Sequence, residues 1–161
     1  MTRPVYIAGS GLLCARGDSP ARVSQALWAG ESSSSKRRLG EREFPYFSLP
    51  LSEADWLTRA EQAITHVAAQ LGPLAAETAL FIASSSFQIG HFEEQGAPFE
   101  LPIATASFSR RIAEWMQLSG PRYSFSNACI SGFSAIDAAR SLIAAGPVSY
   151  THLTLPTNRE V

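Results

Sequence analysis

At 161 residues and a formal net charge of −1, the chain has room for one modest domain and no long-range field to draw it to nucleic acid or an anionic membrane. Hydrophobic residues at 45% and charged residues at 17% are ordinary for a soluble domain that buries a core. Two cysteines, Cys14 and Cys129, cannot form a disulfide framework, so a reducing cytoplasm is expected.

The segment Val5 to Cys14 is apolar and ends in Leu12-Leu13-Cys14, which invites comparison with a lipoprotein signal. It is short, carries Gly9, Ser10 and Gly11, has only Arg3 as a basic flank, and puts the large Leu13 where a signal peptidase needs a small residue. A buried strand over Val5–Ala8, turning at Gly9 and Gly11, explains it better. No other run is expected to reach the length that crosses a bilayer. Asp18, Ser19 and Pro20 then start a helix, because a capping side chain precedes a proline that has no amide hydrogen. Val23, Ala26 and Leu27 share a face of it, and Gly30 ends it.

Glu31 to Pro50, with its serine tetrad, the basic run Lys36-Arg37-Arg38, Gly40, Pro45 and Pro50, reads as a surface connection with Phe44, Tyr46 and Phe47 tucked against the core. Ser52 and Asp55 stand at capping-box spacing before a second helix. Its stripe is Leu57, Ala60, Ile64, Val67, Ala68 and Leu71, with Arg59, Gln62, His66 and Gln70 off the stripe and Gly72-Pro73 closing it. Ala79–Ala83 is a buried strand, and a polar, Gly-rich loop follows from Gln88 to Pro102. Phe108, Ile112, Trp115 and Met116 mark a third helix, stopped by Gly120-Pro121. Tyr123–Ser126 is another strand, and after Asn127-Ala128-Cys129-Ile130-Ser131-Gly132 a helix runs to Ala145 and Gly146. This alternation predicts an α/β fold: a mostly parallel sheet with helices on both faces.

Cys129 falls where a strand ends and a helix begins. Unpaired backbone amides and the helix dipole there favour negative charge, which promotes the reactive thiolate and can hold an oxyanion on a thioester carbonyl. The small residues of the following helix (Ser131, Gly132, Ser134, Ala135, Ala138, Ala139, Ser141, Ala144, Ala145) predict close neighbours on nearly every side. A buried structural thiol is the alternative reading of Cys129. An α/β-hydrolase elbow fits poorly, because it needs glycines where Asn127 and Ser131 stand.

The stretch Ser126-Asn127-Ala128-Cys129-Ile130-Ser131-Gly132-Phe133-Ser134-Ala135-Ile136, continuing through Ala138-Ala139-Arg140 to Ile143-Ala144-Ala145-Gly146, resembles the active-site block of β-ketoacyl synthases. Val5 to Leu13 resembles that family's first strand and turn, Ala26 to Ser32 its following helix end, and Gly120-Pro121 the approach to its active-site strand. The likeness runs from about residue 4 to residue 146.

The resemblance implies a thiolase-like fold in which two related halves contribute to five layers of sheet and helix; this chain would hold part of the N-terminal half, three strands with an incomplete sheet. It implies Cys129 as nucleophile and backbone oxyanion donor, taking an acyl chain from the phosphopantetheine of an acyl carrier protein and elongating it with a malonyl-type extender in fatty-acid or polyketide synthesis. No metal and no redox cofactor are implied. A homodimer or a synthase heterodimer is, with no nucleic acid and no membrane as partner. A catalytically silent, chain-length-factor-like subunit usually lacks the nucleophile, so Cys129 argues against that role. A CoA-dependent thiolase or chalcone-synthase-like enzyme shares the fold, but Ala128-Cys129-Ile130-Ser131-Gly132 favours the carrier-protein branch.

The reaction also needs two histidines, or a histidine and an asparagine, which in the family lie well beyond the cysteine. His66 and His91 precede Cys129 and His152 follows it too closely, so none is assigned a catalytic role. The family would continue after Gly146 with an apolar strand ending in paired glycines. Instead Val148 to Leu153 back-translates into the mosaic-end adapter of transposase-based sequencing libraries. The expected organisation is therefore a truncated synthase domain over residues 1–146 and a non-native tail over residues 147–161, the whole inactive in condensation.

Overall fold

The computed structural model describes residues 4–31, 34–52 and 54–146, and the backbone of 151–154. Among the described residues, five strands and five α-helices follow in chain order: α1 (Pro20–Trp28), β1 (Ser35–Leu39), β2 (Arg42–Tyr46), α2 (Trp56–Ala69), β3 (Ala79–Ala83), α3 (Ile89–Gln95), α4 (Leu101–Trp115), β4 (Arg122–Phe125), α5 (Ser131–Ala145) and β5 (Thr151–Thr154). The centre is a three-stranded parallel sheet in the order β4-β3-β5.

All five residues of β3 are buried, as a strand covered on both faces must be. Alternation divides them between two helical layers. Leu80 and Ile82 join Ile64 of α2 with Phe108, Ile112 and Ala113 of α4, and around Phe108 Trp56 packs tilted and Trp115 edge-on. Ala79, Phe81 and Ala83 face Ala135 and Ala139 of α5, with Phe81 stacked on Tyr123 and Phe125 of β4. Gly120 lets the chain enter β4 tightly: a Cβ there would stand 2.4 Å from the Glu77 carbonyl oxygen. The predicted α/β architecture, with helices on both faces of a parallel sheet, is what forms.

The strand membership differs from expectation. Val5–Ala8 is not a strand; Tyr6 and Ile7 are exposed, and residues 4–13 pair with no strand among the described residues. An extended segment becomes a strand only where a sheet edge accepts its amides, and this one meets the end of α2 instead, where the Gln70 side chain accepts the Leu12 amide and donates to the Leu12 carbonyl. The third strand comes instead from within the segment expected to be a tail. Ala79 aligns with Thr151 and Ile82 with Thr154, through backbone pairing that any non-proline sequence can supply.

Ser35 to Tyr46 forms an antiparallel hairpin rather than an irregular connection. Its two-residue turn, Gly40-Glu41, uses the left-handed φ of +61° that glycine adopts without cost. The hairpin satisfies its own backbone and does not bring its aromatics to the core: Phe44 and Phe47 are exposed, and Tyr46 lies under the Arg37 guanidinium, 5.4 Å from ring centroid to carbon. Leu27, expected on the inner face of α1, is exposed as well, while Val23 and Ala26 are buried.

Helix starts are set by side chains. Ser19 caps α1, and Asp55 rather than Ser52 caps α2: its carboxylate accepts the amides of Leu57 (3.0 Å) and Thr58 (3.1 Å) and the Thr58 hydroxyl (2.6 Å). The Ser52 hydroxyl bonds the Gln62 side chain instead. The loop expected from Gln88 to Pro102 contains α3, which is fixed by tertiary contacts, since Glu94 accepts the Trp56 amide (3.0 Å) and Phe92 meets Phe99 edge-on.

By length and composition Ala128–Ala145 is apolar enough to cross a membrane, contrary to the expectation that no such run exists. The stretch is the cysteine turn plus α5, and one face of it seats on the sheet through Ser131, Ala135 and Ala139.

Candidate active site

β3 and β4 run parallel, with Ala83 level with Phe125, so the loops that follow them emerge side by side at the C-terminal edge of the sheet. The Ser84 amide extends the ladder by one bond, donating to the Phe125 carbonyl at 3.1 Å. In open α/β sheets this edge is where ligands bind, because strand ends deliver loops there and helix N-termini point their amides at it.

The loop after β4 carries Cys129. Residues Ala128–Ile130 form one 3₁₀ turn, and α5 starts at Ser131. The Ser131 hydroxyl, itself buried, accepts the Asn127 amide at 2.8 Å and donates to the Ala128 carbonyl at 2.7 Å. The Ile130 amide donates to the Asn127 carbonyl at 3.2 Å, and the Asn127 side-chain amide to the Ser134 hydroxyl at 3.3 Å. Ala128 has φ +50°, a left-handed conformation that costs a residue with a Cβ roughly 1–2 kcal/mol. Such a residue persists only where its surroundings hold it, and the Ser131 bonds do so here. Cys129, the next residue, is exposed, which does not fit a buried packing thiol. No side chain caps the first turn of α5; the Ser131 amide donates to the Ala128 carbonyl and so joins the 3₁₀ turn to the helix.

The neighbouring loop is equally constrained. The Ser84 hydroxyl accepts the amides of Ser86 (3.3 Å) and Phe87 (2.8 Å), and holds Phe87 buried at φ +45°. Gln88, also buried, donates its side-chain amide to the Ser107 hydroxyl, while its side-chain Oε1 and Nδ1 of His91 are buried without a hydrogen-bond partner.

The second cysteine and the histidines sit on other elements. Cys14 is partly buried in a tight bridge with Gly17. His66 uses Nε2 against the Asp18 carbonyl (2.8 Å), and Gln70 donates to the carbonyls of Leu12 (3.1 Å) and Asp18 (2.7 Å), so the off-stripe face of α2 fastens the Leu12–Asp18 loop. His91 is on α3, and His152 is on β5, where the backbone alone is described.

An exposed cysteine on a strained strand–turn–helix elbow is chemically a nucleophile's setting. The family model for the β-ketoacyl synthase N-terminal domain matches residues 56–151, which include the whole elbow and both strands beneath it. The chain belongs to the β-ketoacyl synthase family. No curated protein matches it. The synthase domain thus places the chain among condensing enzymes, a transferase family of fatty-acid and polyketide synthesis whose members typically work with acyl carrier protein. Sequence reading found Cys129 and its junction, but passed over Ser131 as a mere part of the motif. The available signal was a hydroxyl at the first residue of a helix, within reach of the turn before it.

Proposed function

We propose that Cys129 is the acyl-accepting nucleophile of a decarboxylating condensing enzyme. The observation that carries this reading is the exposed thiol on the β4–α5 elbow, inside the residues matched to the synthase family. Cys129 Sγ attacks the thioester carbonyl of an acyl chain on the phosphopantetheine arm of a carrier protein. The pantetheine thiol leaves with the proton, and the acyl group stays on Sγ. A malonyl-type extender on a second carrier then loses carbon dioxide, its carbanion attacks the Cys129 thioester, and the cysteine thiolate departs. The Cys129 amide stabilises the oxyanion in both transfers. The cysteine speaks against a silent partner subunit. Acyl carrier protein, a cytoplasmic setting and a dimeric parent complete the reading.

None of His66, His91 and His152 stands where the family's decarboxylation histidines would follow the cysteine, so the chain as it stands is inferred not to condense. Residues 147–161 are inferred to be adapter read-through, on the back-translation of Val148 to Leu153. Finding the same tail in an unfragmented clone of the locus would sink that reading. Trapping with a cysteine-reactive acyl mimic on the full-length parent tests the nucleophile: Cys129 labels quickly and Cys14 slowly. Equal labelling of the two, or elongation of acyl-carrier substrates by the 161-residue chain, overturns the corresponding claim.

A further inference from the structure

The Ala128–Cys129 peptide unit has a feature that the nucleophile reading does not use. Its carbonyl oxygen receives the Ser131 hydroxyl at 2.7 Å, and the same hydroxyl accepts the Asn127 amide at 2.8 Å. In a planar trans peptide the N–H points opposite to the C=O. A bond that fixes the Ala128 oxygen toward α5 therefore fixes the Cys129 N–H in the opposite direction, away from the first turn of that helix. Ser131 is 5% exposed, so water scarcely competes for its hydroxyl. Ala128 sits at φ +50°, where a residue bearing a Cβ stays only if held. Without the hydroxyl the Asn127 amide loses its acceptor and the Ala128 carbonyl keeps only the Ser131 backbone amide, so the peptide plane is held less firmly against rotation toward an ordinary αR turn.

We infer that Ser131 is a positioning residue for acyl transfer: its hydroxyl aims the Cys129 amide at the developing oxyanion. The inference rests on the reading of Cys129 as nucleophile. It predicts a split between two reactions of the same thiol. Acylation by a thioester forms an oxyanion and needs the aimed amide, whereas alkylation by iodoacetamide forms none and needs only an exposed thiol. In acylation the Sγ–carbonyl bond forms, the carbonyl–pantetheine sulfur bond breaks, and the proton leaves with the pantetheine thiol.

The test uses the full chain, acetyl-pantetheine thioester and iodoacetamide, with each cysteine followed by mass spectrometry. Ser131→Val and Ser131→Thr have the same shape and differ in the hydroxyl. Expected is a fall of roughly tenfold or more in Cys129 acylation for the Val variant, near wild-type acylation for Thr, and alkylation changed by less than about threefold in both. Ser109→Ala, which removes another buried hydroxyl on α4, leaves all rates unchanged. Cys14 alkylation in the same molecules reports any general opening. Equal acylation by the Val and Thr variants overturns the assignment, as does a parallel loss of both reactions with Cys14 opened in both variants, which would make Ser131 a packing residue. Wild-type acylation no faster at Cys129 than at Cys14 overturns the nucleophile reading instead.

Discussion

Two helices of equal length, α4 and α5, flank the same sheet and are built on opposite plans. α4 turns large residues inward: Phe108 and Ile112 are fully buried against Leu80, Ile82 and Trp56, and its outer face carries Arg110, Arg111 and Glu114. α5 turns small ones inward, Ser131, Ala135 and Ala139, and leaves Phe133 76% and Ile136 47% exposed. Small inner residues bring the α5 backbone close to β3 and β4, so the elbow before it inherits the rigidity of the sheet. The outer face of α5 sets Phe133 and Ile136 beside the exposed Asp137–Arg140 ion pair, uncovered among the described residues. The helix that supports stability and the helix that presents the thiol are thus different elements on opposite faces of one strand.

The contrast can be broken at four points. Phe108→Ala removes the centre of the α4 layer and should destabilise by about 3–5 kcal/mol in denaturant unfolding, a large part of the stability of an ordinary domain. A loss under about 1 kcal/mol would show that the α4 layer is not the core. Ala135→Leu pushes α5 off β3 and should cost about 1–3 kcal/mol. If it costs nothing, α5 is not seated closely and the elbow has no rigid base. Phe133→Ser, on the uncovered face, should change stability by no more than about 0.5 kcal/mol, and a larger loss would reveal that this face is covered after all.

The smallest effect concerns α2, which packs with α4. Its Asp55 cap is held below the usual carboxylate range, first by the Thr58 hydroxyl and then by the Thr58 and Leu57 amides. A carboxyl depressed in the folded state stabilises the fold above its unfolded pKa of about 3.9 and loses that contribution as pH falls through the folded value. Acid titration should therefore weaken α2 below about pH 4, and Asp55→Asn should reduce that part of the pH dependence. An unchanged acid transition in the Asn variant would remove Asp55 from the account.

Much of this was readable along the chain because periodicity is local. The apolar run of β3, the stripe of α2, the Phe108–Trp115 face of α4 and the span of α5 to Gly146 appear where their spacing predicts, and β4 lies one residue earlier than expected. The strand–turn–helix setting of Cys129 was legible for the same reason, since an apolar run, a short polar link and a helical run adjoin in sequence. Val5–Ala8 has the composition of a strand and is not one; Ser35–Leu39 has the composition of a loop and is a strand. Their fate turns on whether another segment offers a matching row of amides and carbonyls, which no local pattern records.

The sequence by itself determined the elements, the layered α/β class and the one cysteine at a strand–helix junction, because these depend on residues near one another in the chain. Tertiary structure alone decided which strands share the sheet, that α3 forms on Glu94 and Phe92, and that Phe133 and Ile136 of α5 stay uncovered among the described residues. It also decided that a buried hydroxyl from Ser131 clasps the turn beneath Cys129. Those outcomes rest on hydrogen bonds and contacts whose partners are chosen by the folded geometry.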